Sequence, residues 1–100
     1  MNKMPQGQAF SFGAAERDAA ALSALACEMF AAAANAQAGA RVPRAVSVNL
    51  DVLSKDVAGP LTGNVRITKS TASAMFLSAE LTAPQGEVVR ATALYGFVKS

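Results

Sequence analysis

The sequence predicts an α+β fold in which one long helix is wrapped by a single antiparallel sheet of four or five strands. Two observations carry this. Residues 14–38 are dominated by alanine and carry few charges, and a helix apolar nearly all round has to be covered on most sides. The remainder then breaks into four runs that alternate apolar and polar residues with a period of two, as half-buried strands do. At 100 residues the chain is read as a single domain spanning 1–100.

The elements follow in order. Residues 1–9, with Pro5 and two glutamines, read as a loose N-terminus, and Ala9-Phe10-Ser11-Phe12 as a short first strand ending at Gly13. From Ala14 the residues are strong helix formers. Leu22, Leu25, Met29 and Ala33 recur at helical spacing and mark the deepest face. Glu16 and Asp18 lie where negative charge favours the helix dipole, Gly39 is placed to cap the C-terminus, and Pro43 prevents continuation. In the next run Val46, Val48, Leu50 and Val52 face one way and Ser47, Asn49 and Asp51 the other. After Ala58-Gly59-Pro60, Leu61 to Ser70 points Val65 and Ile67 inward. Met75, Leu77, Ala79 and Leu81 then alternate with Phe76, Ser78, Glu80 and Thr82. Pro84-Gln85-Gly86-Glu87 reads as a turn, and Val88 to Lys99 as the last strand. The short gaps favour antiparallel neighbours.

Composition narrows the function classes. The chain is 52% hydrophobic and 16% charged with a net charge of +2, which favours a compact globule over disorder. Its basic residues are scattered and aromatics few, so no nucleic-acid partner is expected. Glu16, Arg17, Asp18 and Glu28 interrupt the alanine stretch and argue against a membrane span. The single cysteine, Cys27, allows no internal disulfide, and Met1-Asn2-Lys3-Met4-Pro5 leads into no apolar signal core. Together these suggest a cytoplasmic protein.

Most catalytic constellations are missing. With no histidine there is no Ser-His-Asp or Cys-His arrangement, and the acids have no metal-ligand spacing, so neither a metal nor a cofactor is expected. No glycine-rich phosphate loop occurs; Gly59, Pro60 and Gly63 read as strand turns. On a helical wheel Arg17, Glu28 and Asn35 fall in one stripe flanking the leucine face. Glu28 would then stand at the border of core and cleft, where a partly desolvated carboxylate suits a general base or nucleophile. The plainer reading is a solvated or dimer-facing charge paired with an arginine. Asp18 marks helix amides able to hold an oxyanion, or simply favours the dipole. Cys27, with no histidine to activate it, reads as a small buried side chain, and Tyr95 and Phe97 as core or dimer contacts, with a substrate tunnel the lesser alternative.

Several segments resemble the hotdog-fold thioesterase superfamily, in its small acyl-CoA thioesterase-like (phenylacetyl-CoA-type) branch. Residues 45–52 resemble the strand after that family's central helix, and residues 58–67 its proline-glycine turn into the next strand. Residues 78–82 and 86–93 resemble its closing hairpin, with a G-x-x-x-A-x-A rhythm. The family commonly opens its helix with His-Gly-Gly and places an acid about three turns later. Here that motif falls on Asp18-Ala19-Ala20, and the acid position on Cys27, one residue before Glu28.

The resemblance implies a homodimer whose sheets join edge to edge, able to pair further into tetramers, with acyl-CoA sites at the dimer interface. It implies an acyl-CoA thioesterase-like protein needing no cofactor beyond the coenzyme A thioester itself. Glu28 would activate water or attack the thioester, with Asp18 and the amides of Ala19 and Ala20 at the carbonyl. Asn35, Arg41, Arg44 and Lys69 would contact substrate, the three cations meeting the phosphates; ordinary solvated surface is the plainer reading of those three. The rival is a catalytically inactive homologue that binds an acyl ligand or a protein partner. A hydratase or dehydratase on the same fold is the weakest reading, since those relatives use a histidine.

Overall fold

A computed structural model describes residues 7–54 and 56–98. The elements are β1 (Gly7–Phe12), α1 (Ala19–Ala38), β2 (Val42–Val52), β3 (Leu61–Ser70), β4 (Ala74–Ala83) and β5 (Gly86–Val98). The five strands form one antiparallel sheet in the order β1-β3-β4-β5-β2. The α1 helix lies across one face and touches all five strands, and the sheet stays open, with β1 and β2 as its edges. Of the expected loose N-terminus, residues 7–9 belong to β1 and residues 1–6 lie outside the described residues.

Alternation decides the inner face. Leu61, Val65, Met75, Leu77, Ala79, Leu81, Val89, Ala91 and Ala93 are buried, and α1 presses Leu22, Ala26, Met29, Phe30, Ala33 and Ala34 onto them. No polar residue is buried among the described residues. The expected helical core positions hold for Leu22, Met29 and Ala33. Leu25 is only partly buried, and Phe30 fills the centre instead. Gly63 lies within β3 on its inner face, not in a turn. Its missing side chain makes room for Met29, since a β-carbon there would stand 2.2 Å from the Met29 sulfur.

Element boundaries and one register differ from expectation. The helix starts at Ala19 rather than Ala14, because the Arg17 backbone pairs with Val57 of the β2–β3 connection through bonds of 2.7 and 2.9 Å. Arg17 therefore leaves the helical stripe it was assigned to. The β2 strand starts at Val42 and includes Pro43, which an edge strand tolerates. A bulge between Ala45 and Ser47 throws Val46 out of register, so Val46 is exposed while Val48, Leu50 and Val52 face the core.

The helix is less enclosed than its composition suggests. By length and composition α1 could cross a membrane, yet it packs one side on the sheet and leaves the other open. The outer side carries Ala20, Ala24, Cys27, Glu28 and Asn35. A single five-stranded sheet covers one flank of a helix, and alanine exposes little apolar area on the other. Cys27 is accordingly exposed rather than buried.

Candidate functional site

Asp18 is the N-cap of α1. Its backbone is extended (φ −90°, ψ −175°), its carbonyl accepts from Leu22 N at 2.9 Å, and its carboxylate accepts from Ala21 N at 2.9 Å. This satisfies one of the amides a helix start leaves unpaired. The Ala19 and Ala20 amides have no hydrogen-bond partner among the described residues.

Beside this helix start lies a cavity of about 490 Å3, lined by Glu16, Arg17, Asp18, Ala21, Asp56, Val57 and Ala58. Its wall follows from the Arg17–Val57 pairing, which draws the β2–β3 connection against the segment preceding the helix. Arg17 donates through Nη2 to Gly13 O at 3.0 Å, and its Nη1 is buried without a partner. Three carboxylates around one guanidinium disfavour a phosphate here and favour a neutral or cationic group. Glu16, Asp56, Val57 and Ala58 were not foreseen as site residues, since two loops far apart in sequence bring them together. Among the described residues no group of His, Cys, Asp and Glu is placed to hold a metal ion.

The residues expected to act together are spread along the molecule. Ala19 and Ala20 are exposed at the helix start and do not line the cavity, whereas Asp18 does. Glu28 is exposed on the outer face of α1, not at a desolvated border. Asn35, also exposed, turns back to donate to Ala31 O at 2.9 Å. Arg41, Arg44 and Lys69 gather at the opposite end of the sheet, near the helix C-terminus. Arg41 closes that terminus: it donates to Ala38 O at 3.0 Å, Thr71 O at 3.2 Å and Gln37 O at 3.5 Å, with its guanidinium 3.8 Å from the Phe97 ring centroid. A cation there complements the helix dipole, and its donors face carbonyls rather than a ligand. Arg44 and Lys69 are exposed.

Tyr95 is buried on the inner face of β5, and burial, with a smaller contribution from nearby Cys27, raises its phenol pKa above the ordinary value. On the outer face Arg66 makes a bidentate contact to Glu80, at 2.9 and 2.5 Å. The hydrogen bond from Arg66 holds the Glu80 carboxyl below its usual range.

One helix laid on a five-stranded sheet of order β1-β3-β4-β5-β2 is a specific topology, and solved structures share it. The PaaI protein of the E. coli phenylacetic acid degradation operon superposes with a TM-score of 0.82 at 17% identity, over 95% of this chain and 75% of that one. The protein has the hotdog fold. A hypothetical thioesterase from Streptococcus pneumoniae, solved with coenzyme A, gives 0.82 at 11% identity over 98% of this chain and 84% of its own. A variant of the thioesterase enzyme SAV0944 from Staphylococcus aureus gives 0.82 at 9% identity, over 98% and 90%. At such identities the likeness establishes the hotdog fold and no more. No protein-family model matches the chain, and no curated protein matches it by sequence.

Proposed function

We propose that this hotdog protein hydrolyses an acyl-CoA thioester at a site shared by two copies of the chain. The observation that carries the reading is the pair of unpartnered amides at Ala19 and Ala20, together with an exposed Glu28 on the same helix. The amides would polarise the thioester carbonyl, and Glu28 would take a proton from the attacking water. Both groups must come within about 3 Å of the reacting atoms. Eight or nine residues separate them, which is about 12–14 Å along a helix axis, so one helix cannot supply both. Two helices running antiparallel bring Glu28 of one copy to the helix start of the other, and the small exposed side chains of Ala20 and Ala24 permit a close approach. The solved neighbour with coenzyme A, itself a hypothetical thioesterase, supports the substrate class.

A second reading has its own observation. The 490 Å3 cavity is lined by Asp18 but not by Ala19 or Ala20, and none of its lining residues is Glu28. That arrangement suits a catalytically inactive protein that holds a neutral or cationic ligand beside the helix start.

Thiol release from short, medium, long and aromatic acyl-CoAs, with Glu28→Ala in parallel, separates the two. Loss of release by about 100-fold or more in the variant is the expected result. Release that survives in Glu28→Ala removes Glu28 from the mechanism. No release from any thioester by the folded dimer favours the inactive binder.

A further inference from the structure

We propose that Cys27 is an acyl acceptor: its thiol takes the acyl group of a CoA thioester while the Tyr95 hydroxyl holds the carbonyl oxygen. This rests on the reading that the substrate is an acyl-CoA, and it places a covalent step on a residue that reading does not use.

The helix turns Cys27 toward one part of the sheet. Met29 packs on Gly63 of β3, at one flank of α1. Two residues correspond to about 200° of helical rotation, so Cys27 leans to the opposite flank, toward β5 and β2. Glu28, one residue on, is about 100° further round and faces away from the sheet. Cys27 is exposed at that margin, and the residues one turn before and after it, Ser23 and Ala31, are small.

Tyr95 meets it from the sheet. It lies on the inner face of β5, between Met75 of β4 and Ala45 of β2. Tyr95 is only 7% exposed, yet its hydroxyl has no hydrogen-bond partner among the described residues and is not sealed from water. Ala45, its neighbour on the edge strand, is exposed, so the inner face opens to solvent beside the phenol. A buried ring that ends in an unpaired hydroxyl is short of one hydrogen bond, and a carbonyl oxygen brought to this opening would supply it. Burial raises the phenol pKa, and the charge of a neighbouring Cys27 thiolate raises it further. The phenol thus keeps its proton where a thiol ionises, and serves as a donor rather than a base.

The step needs no histidine. A cysteine is a few per cent thiolate at pH 7 and is strongly nucleophilic in that form. Cys27 Sγ attacks the carbonyl carbon, and the carbonyl oxygen takes the negative charge and accepts from the Tyr95 hydroxyl. Collapse expels the CoA thiolate, which takes up the proton that Cys27 released. One C–S bond forms and one breaks, so the exchange balances without an oxidant or a cofactor. The Ala19 and Ala20 amides lie about 10–12 Å along the axis from Cys27 and cannot hold that oxygen within one chain.

The chain has a single cysteine, so intact mass spectrometry reads the site directly. Mixing the folded protein with acetyl-, octanoyl- and benzoyl-CoA should add one acyl group per chain from at least one of them. Neutral hydroxylamine should remove it, as it does a thioester, and Cys27→Ala should not acquire it. Acylation should run about tenfold or more faster than in the same chain unfolded in urea, where no phenol stands beside the thiol. Tyr95→Phe, which keeps the buried ring, should slow acylation by about tenfold or more. The same variant should leave alkylation of Cys27 by iodoacetamide unchanged, because alkylation involves no carbonyl oxygen. Far-UV circular dichroism checks folding, and the folded-against-unfolded comparison uses wild type alone should Tyr95→Phe misfold. No adduct, an adduct that persists in Cys27→Ala, or equal rates in folded and unfolded chains would each overturn the proposal. So would a folded Tyr95→Phe that acylates like wild type or slows both reactions alike. Steady-state thiol release is scored separately: an acyl-Cys27 that persists without turnover upholds this step and counts against hydrolysis, while turnover undiminished in Cys27→Ala, with no adduct, does the reverse.

Discussion

Gly63→Ala tests the packing that holds Glu28 in place, because Met29, the next residue of α1, rests on that glycine. An added β-carbon would stand 2.2 Å from Met29 Sδ, 3.1 Å from Met29 Cε and 3.2 Å from Leu81 Cδ2. Neither neighbour has open space to retreat into, with Met29 1% and Leu81 0% exposed. Overpacking of this kind costs about 1–3 kcal/mol, and the flexible thioether places the cost in the lower half of that range. Alanine returns about 0.4–1 kcal/mol by restricting the unfolded chain. The net loss is then about 1 kcal/mol, or about 4–8 °C in Tm for a domain of this size. The decisive comparison is the same change made in Met29→Ala. That background is itself weakened by about 2–5 kcal/mol, but Gly63→Ala should be neutral or slightly stabilising within it, a coupling of about 1–2 kcal/mol. Urea denaturation of the four proteins at one fixed concentration supplies the numbers. An equal cost of Gly63→Ala in both backgrounds would refute the argument that the glycine exists to admit Met29.

Two further outcomes follow from the hydrogen bonds. Asp18→Ala should lose about 1 kcal/mol of stability with its bond to Ala21 N, and Asp18→Asn, which keeps an acceptor, should recover most of it in a thermal melt; an asparagine variant as unstable as alanine would show that the carboxylate does more than cap. The Glu80 carboxyl is depressed in the folded protein by Arg66, so its contribution is present at neutral pH and is lost as the pH falls through that lowered folded value. Solvent screening at side chains 45% and 23% exposed keeps the contribution below about 1 kcal/mol. Glu80→Gln should flatten this part of the acid limb, and an unchanged dependence of urea midpoint on pH in the variant would contradict the assignment.

Strand alternation was legible because each side chain's face follows from its parity alone. Val65, Ile67, Met75, Leu77, Ala79 and Leu81 point inward as their spacing requires. Gly39 ends the helix with φ +66°, and Gly86 closes the β4–β5 hairpin with φ +138°, both conformations that glycine adopts without strain. The helix start was not legible. Residues 14–17 are good helix formers, and the pairing of Arg17 with Val57, forty positions apart, holds Arg17 out of the helix just before the Asp18 cap. Val46 misleads in the same way, since nothing local announces the bulge that exposes it. Arg41 reads as a free cation, whereas the folded chain sets it against the carbonyls of Gln37, Ala38 and Thr71.

By itself the sequence determined one alanine-rich helix, the strands with their inner faces, and the absence of histidine chemistry, because these depend on residue type and on spacing within a few positions. Only the tertiary structure decided where the helix begins, which strand forms the long open edge, and that the Arg17–Val57 pairing walls a cavity beside the helix start. Those outcomes depend on contacts between segments distant in the chain, and neither composition nor periodicity records such contacts.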